Sequence, residues 1–437
     1  MNLGNLLDRS SIAESARSRR RGAAGVSAAL AAAVTAAAVG VGVAGGAGAS
    51  TARSHKALHG VVHIGASVSL SGDFSATGAT TKQGYEVFAK WANAHGGILG
   101  KKVVFTFLSD GSSPTQVSIN YRKLIVTDHD TFVVGPYSTL LTKPGSVIAN
   151  RYHKAFVEGI GGGPSVFESG LKNVFDVSAS AAYQGISFAH WVAKAYKPQP
   201  VAYGAITTPF NEPIVTGIKK YLNSKGFKTA VYKVYPLETS DFTPIASQIE
   251  STKAKIVALG TQPPDGYAMI ENFATAGYNP SAVFEVSGPD QGTGFVKAVG
   301  KQNTTGVMWP NTWYPGATEG KVNTQMVKLA ENMFHVSKTG LSANIAEAFS
   351  AGQVLAEAVD HLHSTTNQKL ITYLHKKSTK LSSVQGPVCF TSTGQNKCAQ
   401  PFVFQWQDCK QVAVLPTGKH GITPIMNPKP KWGDSRC

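Results

Sequence analysis

The sequence predicts an α/β protein of two doubly wound lobes with mostly parallel sheets. From residue 60 onward, short β-branched runs alternate with helical periodicity, and the same plan starts again after a loop-like break at 178–182. Length agrees, because 437 residues exceed what one small core organises.

The elements follow in order. Residues 61–67 read as a strand, and 81–95 as a helix whose Val87, Phe88, Trp91 and Ala92 share one face; Gly96-Gly97 stops it. A strand at 102–108 leads to Ser113-Pro114, a cap followed by proline at the first helical position, and Val117, Tyr121, Leu124 and Ile125 stripe the helix beyond. Strands at 131–135 and 155–158 flank a helix at 141–150, giving the βαβα order of a parallel sheet. The second half predicts helices at 183–196, 212–224, 243–251 and 266–276, with strands at 201–206, 229–235, 256–260 and 282–286. A loop rich in Pro, Trp and Gly at 309–316 precedes helical patterns at 322–335, 343–363 and 369–378. Phe402, Phe404 and Trp406 then alternate as in a strand.

The first 49 residues read as an export signal. Arg17, Arg19, Arg20 and Arg21 precede an uncharged Ala/Gly/Val run from Gly22 to Gly46, and Ala47 and Ala49 suit a cut after Ala49. The run is also about long enough to span a bilayer, so an uncleaved membrane tether is the alternative. The cysteines fit an oxidising compartment: Cys389, Cys398, Cys409 and Cys437 crowd into the tail. A turn-rich stretch with Gly394 lets Cys389 face Cys398, which leaves Cys409 with Cys437; a zinc site is the rival, but the spacings match no common metal motif. The formal charge is +16, and about +13 remains beyond residue 49. Its lysines are scattered, without a basic helix or aromatic interleaving, so a solvated positive surface is expected and nucleic acid is not.

From residue 64 onward stand Ser69-Leu70-Ser71-Gly72, Gly78, Gly84, Asn93, Gly96-Gly97-Ile98-Leu99-Gly100, Asp110 and Gly135-Pro136-Tyr137-Ser138-Thr139. In this order and spacing they resemble the type I periplasmic binding proteins of the leucine/isoleucine/valine-binding kind. The similarity continues to Gly386-Pro387 and Phe404-Gln405-Trp406. The resemblance implies a Venus-flytrap fold: lobe 1 from 60–180 plus 308–385, lobe 2 from 181–307 plus 386–437, and three hinge crossings near Ala181, Val307 and Gly386. A ligand then lies between the lobes and closure is a population shift.

The resemblance also implies a site. Ser138, Thr139, Gly161 and Gly162 match positions that hold a ligand carboxylate, although either hydroxyl also suits a helix cap. Gly162 stands where the family often has threonine, and Gly161-Gly162-Gly163-Pro164 is no phosphate loop, since no lysine follows. Asp290, in Gly288-Pro289-Asp290, matches the acid that pairs a ligand ammonium; capping a helix near Gln291 is its alternative role. Phe210 keeps a pocket ring, Thr77 and Gln262 replace rings by polar groups, and Phe74 partly compensates. The departures point as readily to an amide, a urea-like compound or another carboxylate as to a branched-chain amino acid. Tyr183 and Trp313 are rim or core aromatics.

No HExxH, GxSxG, Walker loop or cysteine-nucleophile signature occurs, and the histidines are scattered. The expectation is not an enzyme: no catalytic residue, metal or cofactor is implied. It is a monomeric extracytoplasmic solute-binding protein that carries an amino acid, amide or related small metabolite to an ABC permease in the membrane. A ligand-binding sensory module without transport is the alternative. Micromolar affinity, about 8 kcal/mol, is within reach of a few charge-assisted hydrogen bonds plus apolar closure.

Overall fold

Parallel strands buried on both faces need apolar residues at nearly every position, and the strand runs of this chain supply them in two sets. The structure, a computed structural model, describes residues 58–316, 320–376, 380–417 and 422–434. The export signal expected at 1–49 and Cys437 lie outside the described residues.

The first set comprises β1 (Val61–Val68), α1 (Ser75–Ala94), β2 (Lys102–Ser109), α2 (Pro114–Val126), β3 (Phe132–Val134), α3 (Thr139–Arg151), β4 (Phe156–Glu158), α4 (Pro164–Phe167) and β5 (Val174–Ala179). The second comprises α5 (Ala181–Gln184), α6 (Ile186–Ala195), β6 (Val201–Ile206), α7 (Asn211–Ser224), β7 (Thr229–Tyr235), α8 (Thr243–Ser251), β8 (Ile256–Gly260), α9 (Pro263–Thr275), β9 (Ala282–Glu285), α10 (Thr293–Val299) and β10 (Val307–Asn311). The chain then forms α11 (Lys321–Phe334), α12 (Ala343–Leu362), α13 (Asn367–Leu374), β11 (Leu381–Ser383), β12 (Gly386–Val388), β13 (Gln395–Asn396), β14 (Phe402–Gln407) and β15 (Lys410–Leu415).

Two sheets result, ordered β13-β5-β4-β3-β1-β2 and β15-β14-β10-β9-β8-β6-β7, with a small β11-β12 pair. The first is parallel throughout; in the second, only β14 and β15 run antiparallel to their neighbours. Each sheet has apolar clusters on both faces. Val62, Ile64, Phe88 and Phe349 belong to one cluster of the first lobe, and Tyr121, Phe156 and Leu141 to its other. Val201, Ile214 and Phe284 and, on the opposite face, Val257, Leu259 and Phe273 do the same in the second.

Local signals act as expected at α2, where the Ser113 hydroxyl accepts from the Gln116 N–H at 3.3 Å and Pro114 opens the helix, a cap of about 1 kcal/mol. Helix α1 starts six residues earlier than periodicity predicts. The extra turn is made of small residues: Thr77 donates to the Phe74 carbonyl, and a side chain at Gly78 would lie 2.0 Å from the Ser69 carbonyl oxygen. Farther along α1, a Cβ on Gly84 would come within 2.5 Å of the Ile345 carbonyl, so glycine is what lets α12 pack this closely. Periodicity also fails to predict β5, because Asp176 interrupts its apolar run.

Two of the expected crossings fall later in the chain. Strand β10 pairs with β9 and β14 up to Asn311, so the stretch from Met308 to Asn311 belongs to the second sheet. Likewise β13 pairs with β5 at the edge of the first sheet, so the return crossing lies between Asn396 and Phe402, not at Gly386. The cause is a loop closed by the Cys389–Cys398 disulfide, with Cα atoms 5.5 Å apart. Asn396 pins it: its Nδ2 donates to the Val177 carbonyl at 2.9 Å, and its Oδ1 accepts from the Cys389 and Cys398 N–H groups at 3.0 Å each. Cys409 is disulfide-bonded too.

Candidate functional site

Strands in a parallel sheet all point their carboxyl ends the same way, so the loops there converge. In this protein the convergent loops of the two sheets face each other around a cavity of about 40 Å³, several times the ~10–15 Å³ that one water needs. The first lobe lines it with Tyr137 and Ser138 after β3, Gly159, Ile160 and Gly162 after β4, and Ser178 and Ala179 from β5. The second lobe adds Phe210, Gln262, Val286, Ser287 and Asp290 from the loops after β6, β8 and β9, with Pro310 and Asn311 of β10. Asn344 and Glu347 enter from the first turns of α12.

The lobes touch directly. The Tyr137 hydroxyl donates to Gln262 Oε1 at 2.6 Å, and the Ser342 hydroxyl donates to Gln291 Oε1 at 3.0 Å. A side chain on Gly163 would stand 2.6 Å from the Pro209 carbonyl oxygen of the facing lobe.

Of the residues the resemblance singles out, Ser138, Gly162, Phe210, Gln262 and Asp290 line this cavity, whereas Thr139, Gly161, Phe74 and Thr77 are not among its lining residues. Ser138 caps α3, accepting from the Leu140 N–H at 3.2 Å, with φ at +77°; such a backbone costs a non-glycine residue about 1–3 kcal/mol. Thr139 lies behind it, fully buried, and its hydroxyl accepts from the Gly163 N–H at 3.0 Å. Phe74 packs edge-on against Tyr137 with centroids 5.4 Å apart, and so braces the inter-lobe contact rather than touching the cavity. Thr77 is spent on the first turn of α1. Gln262 is no replacement ring: its Nε2 donates to Asn211 Oδ1 at 2.8 Å while its Oε1 receives the Tyr137 hydroxyl. Tyr183 is exposed, and Trp313 is core, donating to Asn323 at 2.7 Å.

The glycine amides are partly occupied already. Glu158 Oε2 accepts from the Ile160 N–H at 2.8 Å and from the Gly161 N–H at 2.5 Å, so a resident carboxylate sits on donors that the resemblance assigns to a ligand's. Glycine at 162 has a separate reason. A Cβ there would lie 2.6 Å from Asp176 Oδ2, an atom with no hydrogen-bond partner.

Glu158 and Asp176 belong to a larger set of buried acids around the cavity that includes Glu347, Asp290, Glu285 and Asp265. Among the described residues none of the six joins an ion pair. Burial drives each toward its neutral form. Asp290 is pushed up to about 6, against the pull of the Gly288 N–H at 2.8 Å and the Gln291 amide at 2.7 Å. Glu347 rises to about 8 through burial, then through the nearby Asp290 and Glu158. Burial and the Glu158 charge raise Asp176, and burial raises Glu158 against its two backbone donors. Asp265 rises to about 7 from burial although Tyr235 donates to it at 2.5 Å, and Glu285 rises through burial and the charges of Asp265 and Asp290. Among the described residues no group of three or more His, Cys, Asp or Glu is arranged to hold a metal ion.

Sequence reasoning misses Tyr137, Ser287, Asn311, Asn344 and Glu347 as cavity residues. For Glu347 a signal exists: it is the one charge between 343 and 356, in a helix segment whose other residues are nearly all buried.

Comparison with known proteins places this geometry. The family model described as periplasmic binding protein matches residues 61–410. The Leu/Ile/Val-binding protein homolog 3 of Brucella melitensis is 23% identical over 358 residues, covering 82% of this chain and 95% of that protein. The branched-chain amino acid transporter substrate binding protein LivJ of Streptococcus pneumoniae, solved in complex with isoleucine, superposes with a TM-score of 0.72 at 14% identity, over 85% of this chain and 100% of that one. A solute binding protein of an R. palustris ABC transporter, solved in complex with benzoate, gives a TM-score of 0.70 at 17% identity, over 86% and 99%.

Proposed function

Because the chain belongs to the periplasmic binding protein family, whose members are substrate-binding proteins and not enzymes, we propose that it works outside the cytoplasm. There it closes on a small polar metabolite and delivers it unaltered to an ABC permease. The observation that carries this reading is a single cavity walled by both lobes, at the carboxyl ends of both parallel sheets and bridged by the Tyr137–Gln262 hydrogen bond. A guest that touches both walls shifts the population toward the closed form. Solved proteins of the same fold hold isoleucine or benzoate, so the fold tolerates different cargo. The cargo of this chain is then set by Ser138, Gly162, Phe210, Gln262 and Asp290, together with Asn311, Asn344 and Glu347.

The test is thermal unfolding of the full chain against a panel of amino acids, amides, aromatic acids and small amines. A true ligand at a hundred times its Kd raises stability by about 2.7 kcal/mol and is recovered chemically unchanged. If no compound raises Tm, or if a bound compound is recovered as a product, the reading is overturned.

A further inference from the structure

The walls of the cavity are more specific than the fold. Glu347 projects from the first lobe and Asp290 from the second, and both line the cavity. Directly behind the glycine wall, Asp176 Oδ2 is fully buried, has no hydrogen-bond partner, and lies 2.6 Å from where a side chain at Gly162 would begin. Glu158 Oε1, beside it, is equally buried and without a partner. The buried cation among the described residues, Lys429, is held by Asn279 and the Trp432 ring, neither of which lines the cavity. Carboxylate oxygens only accept hydrogen bonds once ionised, and an ionised carboxylate buried without a cation is strongly disfavoured. A guest carboxylate is poorly served, because Glu158 already takes the Ile160 and Gly161 amides.

We propose that the ligand is a small organic cation of the amine or guanidine class without a free carboxylate, bound between Glu347 and Asp290 and stabilised by Asp176 and Glu158 behind Gly162. This deepens the solute-binding reading and rests on it. The ammonium or guanidinium donates to the Glu347 and Asp290 carboxylates that line the cavity, and its charge lets the buried acids around it ionise together.

Titration calorimetry on the full chain distinguishes the alternatives with putrescine and agmatine as cations, ornithine and arginine as their carboxylate-bearing counterparts, and leucine and benzoate as competitors. Putrescine or agmatine is expected to bind at least ~10-fold more tightly than its carboxylated counterpart, with no measurable binding of leucine or benzoate. Glu347→Gln and Asp290→Asn, which keep shape and remove charge, should each weaken the cation by ~10–100-fold. Glu357→Gln, outside the cavity, should leave it unchanged. Tighter binding of arginine than of agmatine, or unaltered cation affinity in both cavity variants, overturns the inference. Binding of leucine or benzoate without the cations overturns it too but leaves the solute-binding reading standing. Silence from all six probes overturns the inference, and the broader panel above then decides the fate of the reading.

Discussion

The outside of this protein is rich in solvated cations, whereas the wall of its cleft is rich in acids that burial drives toward their neutral forms. On the surface, lysines outnumber acids and form pairs such as Lys123–Asp128 and Lys253–Glu250 in contact with water. There each pair is worth about 0–1 kcal/mol, and salt screens it within about 8–10 Å. Around the cleft the six acids are buried close to one another, where any charge they carry interacts far more strongly than in water. The total of +16 therefore says little about the ligand. Placement decides it, since a few buried acids outweigh many solvated lysines at the point where a guest docks.

The contrast breaks most visibly with pH. Glu347 has Asp290 facing it from the second lobe and Glu158, Asp176 and Tyr137 from the first; Asp290 also faces Glu285 and Tyr267. Their folded values lie above the unfolded ones, about 6 for Asp290 and about 8 for Glu347. The stability from burying these neutral acids is complete below about pH 4 and is lost as pH rises through the folded values. Ligand-free protein should thus lose stability on the order of several kcal/mol between about pH 4 and 8, read as a falling Tm. Lys429, lowered to about 7 by burial, acts in the opposite sense only above that pH. A Tm that rises steadily from pH 5 to 8 would refute the neutral-acid picture.

A smaller effect sharpens the comparison at the lobe interface. Tyr137→Phe removes the hydroxyl that reaches Gln262 at 2.6 Å but keeps the ring that packs on Phe74. Closure should weaken by about 1 kcal/mol, raising Kd roughly fivefold, chiefly through faster release in stopped-flow measurements. An unchanged release rate argues that the lobes do not latch through this bond. Smallest of all, Lys123→Ala on the surface should shift unfolding by under about 0.5 kcal/mol and leave ligand affinity alone. A change above 1 kcal/mol would mean that the surface charges are not merely solvated.

What depends on near neighbours was legible in the order of the amino acids. Alternating runs and helical stripes set the α/β order, Ser113-Pro114 set the start of α2, and the Gly135-Pro136-Tyr137-Ser138 segment with Gly288-Pro289-Asp290 marked two walls of the cleft. Tertiary structure alone decided which polar groups were already spent. Thr139 faces Gly163, Gln262 is held by Asn211 and Tyr137, and Gly161 is taken by Glu158. It also put β13 on the first sheet, through a disulfide loop pinned by Asn396. Above all, it gathered acids from β4, β5, β9 and α12 that stand as far apart as residues 158 and 347. Periodicity records only which face of its own element a residue occupies; strand order and lobe pairing fix which distant carboxylates are buried together, and no local pattern contains that information.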